Sequence, residues 1–114
     1  MAIVVFTRRN VAALKSSVRA AMPAIGSAHA DEALAAGIGF RTHAAMLAAL
    51  KAQSGGKVTV VLNEWAVRAR LDELTNSRLD LDILMKALWE TKLPDEPTVP
   101  LRMGDWMTRV ANEN

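Results

Sequence analysis

The sequence predicts a helix-dominated α+β domain with about six short helices and a small two- or three-stranded sheet. Two runs rich in β-branched residues, Ala2-Ile3-Val4-Val5-Phe6 and Lys57-Val58-Thr59-Val60-Val61-Leu62, read as strands. Apolar residues between and after them recur at helical spacing. Fifteen of the twenty Ala lie between positions 12 and 52. Ala has no side-chain entropy to lose in a helix, and its small size lets helices pack closely.

After the first strand, Thr7 or Asn10 can cap a helix over 9–22, in which Val11, Leu14, Val18 and Met22 form an apolar stripe. Arg8, Lys15 and Arg19 fall together on another face of that helix. Pro23 ends it, because the ring cannot follow a continuing turn. Ser27 can cap a second helix over 28–36, with Gly37 at its C′ position and Ile38-Gly39-Phe40 as a tight apolar corner. Thr42 can cap a third helix over about 43–53, stopped by Gly55-Gly56. After the second strand, Asn63 can cap a helix over 64–74 with Val67, Leu71 and Leu74 inside. Asp80 can cap another over about 81–91, where Leu81, Leu84, Met85 and Leu88 fit the helical template. Pro94, Pro97 and Pro100 make 93–103 an extended connector, with Thr98-Val99 a possible edge strand. Gly104-Asp105 then opens a last short helix bearing Trp106, Met107 and Val110.

The chain of 114 residues is read as one domain, 1–114, with three parts. These are a basic Ala-rich helical half (1–56), a strand with two helices (57–92), and a Pro-containing connector with a short terminal helix (93–114). There is no Cys, which excludes disulfides, thiol nucleophiles and Cys-ligated zinc. No apolar run is long enough for a spanning helix, so no membrane partner is expected. Met1-Ala2-Ile3-Val4-Val5-Phe6 is too short for a signal-peptide core and lacks a basic leader; the expected location is cytoplasmic.

Charge is divided along the chain. Residues 1–57 hold seven Lys or Arg against two acids, a balance of +5, whereas 58–114 hold seven against ten, a balance of −3. Arg8, Arg9, Lys15 and Arg19 precede the first acid. Such an end steers toward a polyanion or an acidic protein surface, and Arg41 extends the basic set.

Catalytic patterns are missing. His29 and His43 are the only histidines. With Asp31 and Glu32 they offer metal-ligand types, but their separation of 14 residues on two helices matches no metal-site spacing. The plain reading is a surface His29 and a partly buried His43 beside Phe40. No nucleophile elbow is present, and Ser16 and Ser17 sit mid-helix without a nearby base. Ser54-Gly55-Gly56-Lys57 follows a helix and enters a strand, the reverse of a phosphate loop. Asp72, Glu73, Asp80 and Asp82 read as capping and solvated acids. No enzymatic activity, metal or cofactor is expected.

Residues 27–50 place two helices across a glycine corner, the outline of a helix-turn-helix. As a DNA reader the second helix would pack through Ala45 and Ala48 and present Met46 and Leu47 to the groove. Base edges call for Arg, Lys, Asn or Gln there instead, and Arg41, Thr42, His43 and Lys51 supply polarity only at the ends.

The stretch from Ala28 through Asp31, Glu32 and Gly37-Ile38-Gly39-Phe40 to His43 resembles a small helical module of uncharacterised bacterial proteins, many plasmid- or phage-borne. It is also loosely similar to the helical extension of some glyoxalase-superfamily proteins. The resemblance covers about residues 8–50 and implies the preceding amphipathic helix, supplied by Val11 to Met22. That extension carries Asp-Trp after Gly-Phe-x, where this chain has Thr42-His43, and its His to Gly-Phe spacing is longer. The glyoxalase metal-binding fold has no counterpart here, so no enzymatic role carries over.

The expected function is therefore non-enzymatic macromolecule binding by surface occupation. The mobile-element resemblance implies an inhibitor or regulator of a host nucleoprotein complex, antitoxin-like or anti-CRISPR-like. The partner is a protein or nucleoprotein complex, with nucleic acid a possible contact, and Arg8, Arg9, Lys15, Arg19, Arg41 and Trp106 are the candidate contact residues. The alternative is a helix-turn-helix transcriptional regulator binding duplex DNA. Trp65 and Trp89 are expected in the core, with Trp106 the best placed of the three tryptophans to act as an anchor.

Overall fold

A computed structural model describes residues 2–53 and 58–95. The fold is a helix-dominated α+β arrangement in the order β1 (Ala2–Val5), α1 (Arg8–Ala21), α2 (Ser27–Ile38), α3 (His43–Ala52), β2 (Thr59–Leu62), α4 (Glu64–Thr75) and α5 (Leu81–Glu90). Among the described residues there are thus five helices and two strands; the expected sixth helix and the Thr98-Val99 strand lie outside them.

The strands pair antiparallel with Ile3 opposite Val61 and Val4 opposite Val60. Val4 and Leu62 turn inward and are buried, while Ile3 and Val61 are 54% and 50% exposed. Ile3, Val4, Val61 and Leu62 thus alternate as in a half-buried sheet, while Val5, at the end of β1, is buried next to Val4.

Helix α1 begins where Thr7, in extended conformation, accepts a bond from the Asn10 N–H. Thr7 is therefore the cap, and Asn10 has a different task. Its side chain is fully buried. Its Nδ2 donates to the carbonyls of Val5 at 2.8 Å and Asp95 at 2.6 Å, and its Oδ1 accepts from the Asp95 N–H at 2.9 Å. Thr7 Oγ1 donates to the Asp95 carboxylate at 2.7 Å and Arg9 pairs with it at 3.2 Å. Asp95 is thereby clasped to the start of α1, and every buried polar atom of Asn10 is satisfied.

Helix α2 is the centre of the molecule. It packs against α1, α3, α4 and β2, while α5 lies against α1 and α4. Ala30, Ala33, Leu34 and Ala35 are wholly buried. The helix runs past Gly37 to Ile38, and Gly39 takes the left-handed conformation at φ 107°. The Gly39 N–H reaches Ala36 O at 3.1 Å and the Phe40 N–H reaches Ala35 O at 2.8 Å, a Schellman closure. The expected stop at Gly37 is corrected by its surroundings. A Cβ there would run into Val67 Cγ2, with Leu62 Cδ1 at 3.2 Å and the Asn63 carbonyl at 3.3 Å. Gly37 serves close helix contact, and Gly39 serves the turn. Gly26 rather than Ser27 occupies the N-cap position.

Thr42, Asn63 and Asp80 cap α3, α4 and α5 as their sequences predict. Among the described residues no single helix is long and apolar enough to cross a membrane.

Candidate binding groove

Helix α3 runs beside α1 in the opposite direction. At one end Asp31 Oδ1 lies 2.9 Å from Lys15 Nζ and 3.9 Å from His43 Nε2. At the other, Gln53 Nε2 donates to Phe6 O at 2.8 Å. Between these tethers lies an open groove of about 280 Å³. Val11, Ala12, Leu47 and Leu50 form its floor; Arg8, Lys15, Asp31 and His43 form its rim.

The local sequence explains the groove. Capped by Thr42, α3 buries Met46 completely and Leu50 nearly so, leaving Leu47 at 42% exposure. Met46 is therefore a core residue and Ala45 and Ala48 are exposed, which corrects the packing expected of a DNA-reading helix, while Leu47 faces outward as expected. The bulkier side chain gains more from burial, so it sets which face turns inward. Helix α1 inserts Leu14 and Val18 fully and exposes Arg8 and Ala12. The His43 N–H donates to Glu32 at 3.1 Å, which fixes the start of α3 against α2.

The expected contact residues are dispersed. Arg8 and Lys15 meet at the groove, and Lys15 is paired with Asp31. Arg9 is held by Asp95. Arg19 Nε donates to the Ile25 carbonyl at 3.5 Å. Arg41 is exposed in the corner between α2 and α3. Arg8 and Arg41 have no acidic partner among the described residues. Trp106 lies outside the described residues.

Trp65 and Trp89 are surface residues, 60% and 59% exposed, which corrects their expected core placement. The core is filled instead by Leu14, Leu34, Met46, Leu71 and Leu84. Neither Trp lies on the inward stripe that Val67, Leu71, Leu84 and Leu88 define on α4 and α5. That stripe is the signal in the sequence that excludes both from the core.

The acids of the second half have local tasks. Asp72 accepts from the Leu79 N–H at 2.8 Å and pairs with Arg68 at 3.3 Å; Glu73 pairs with Arg70 at 3.0 Å. Asp80 caps α5. Among the described residues no three His, Asp or Glu side chains gather as a metal site. The outward residues of α3, which include Ala44, Ala45, Leu47, Ala48 and Lys51, offer base edges one side-chain donor group.

No protein-family model matches this chain, and neither does any curated protein or solved structure.

Proposed function

We propose that this chain is a non-enzymatic binding protein that acts in the cytoplasm by occupying the surface of a protein or nucleoprotein complex. The observation that carries this reading is the exposure of Trp65 and Trp89, each more than half open to solvent, on a molecule whose core is closed by smaller aliphatics. Exposed Trp is costly to leave in water and is the residue type most enriched where binding energy concentrates. The strand pair Ile3 and Val61, opposite one another in the sheet, is half exposed as well. Arg8 and Arg41 add cations that the described residues leave for a partner. Regulation or inhibition of a host complex by a mobile-element product is the finer form of this proposal, supported by the resemblance of residues 28–43.

The test is affinity capture of the tagged chain from its native host, followed by mass spectrometry. One protein or nucleoprotein complex recovered in near-stoichiometric amount, and reduced about tenfold by Trp65→Ala or Trp89→Ala, is the expected result. Recovery of no complex, together with duplex-DNA binding that falls steeply with salt, favours the helix-turn-helix regulator instead.

A further inference from the structure

Resting on that reading, we infer that the α1–α3 groove is the seat for an acidic amphipathic helix of the partner protein. The groove has the form that a single helix fills, two antiparallel walls with an apolar floor. Leu47, the partly exposed residue of this floor, would receive an aliphatic side chain.

Charge selects the occupant's polar face. Lys15 and Asp31 neutralise one another at the rim. Arg8 stands at the rim without an acidic partner among the described residues. Lys51 lies one turn beyond Leu47 on α3, and it too is exposed. A carboxylate one turn from a seated Leu or Ile would meet Arg8, whose guanidinium favours bidentate carboxylate pairing. A phosphate backbone is the poorer fit, because it needs a row of cations and this floor is hydrocarbon.

Two labelled synthetic peptide helices test the assignment by fluorescence anisotropy and by amide shifts of the ¹⁵N-labelled chain. One carries Leu at helical spacing flanked by Glu; its twin replaces each Glu with Lys. The Glu peptide should bind at least about tenfold tighter than the twin, a difference of about 1.4 kcal/mol. It should shift amides of α1 and α3. Arg8→Glu and Leu47→Asp, both at exposed positions, should each abolish most of that preference while leaving the circular dichroism spectrum unchanged. Equal binding of the twins, no binding, or shifts confined to other helices overturns the assignment. If the complex captured from the host is still retained by both variants, the groove is not the contact and the binding function stands. If the Glu peptide seats in the groove yet the host yields no complex, the groove assignment holds and the surface-occupying role fails.

Discussion

A single methyl group added at Gly37 decides whether α2 can lie against α4. Its nearest neighbour would be a methyl of Val67, a β-branched side chain that is itself fully buried and has one comfortable rotamer in a helix. The Asn63 carbonyl is no freer to move, because the N–H of the same residue donates to the Gly37 carbonyl at 2.8 Å. Gly37→Ala should therefore destabilise the protein by about 1–3 kcal/mol in urea titration, although Ala is the better helix former. Stability equal to or above wild type would mean that the two helices separate at little cost. Lys15 is also defined by its neighbour. Reversing it to Glu would oppose Asp31 across the rim, so such a variant reports on folding rather than on binding. Arg8, with no such partner among the described residues, is the cleaner probe. Nothing in the residue types themselves distinguishes Arg8 from Lys15; the distinction arises from where α2 places Asp31.

At the scale of elements, α5 shows how a local signal becomes packing. Asp80 caps its first turn through the Asp82 and Ile83 N–H groups, and Leu84 and Leu88 carry it onto the core. Leu84→Ala should cost about 2–5 kcal/mol, read as a lowered midpoint in thermal or urea unfolding. An unchanged midpoint would show that α5 contributes little to the core. Among the described residues, the five helices were legible from apolar spacing and, except for α2, from their capping residues, and the two strands from β-branched runs, because those signals act within a few residues of one another. The end of α2 was legible only in part. Gly37 and Gly39 both look like helix stops in one dimension, and only contact with α4 tells the buried glycine from the one with positive φ. The orientation of α3 was illegible for a related reason. In a helix made mostly of Ala, several faces are equally apolar, and the positions of Met46 and Leu50 against the rest of the core choose among them.

Across the whole molecule, contacts distant in sequence set what could not be foreseen. Asn10 is 85 residues from Asp95, yet its side chain holds both backbone polar groups of that residue as well as the Val5 carbonyl. Asn10→Ala should cost about 2–4 kcal/mol in urea unfolding, since it strands several polar groups at once. A loss below about 0.5 kcal/mol would show that water replaces the amide freely. The division of charge was visible in the sequence, but its use was not. Two of the early cations are spent on Asp31 and Asp95, so the basic end is less basic in space than along the chain. The groove shares this origin: its residues lie in three helices, and no spacing within one helix announces it.

The methyl side chains that line α2 carry one more implication. Ala30, Ala33 and Ala35 have almost nothing left to trim, so nearly every exchange at those sites makes the residue bigger in a space already full. Variation that the protein tolerates must therefore accumulate on its outer faces, around an axis that can hardly change.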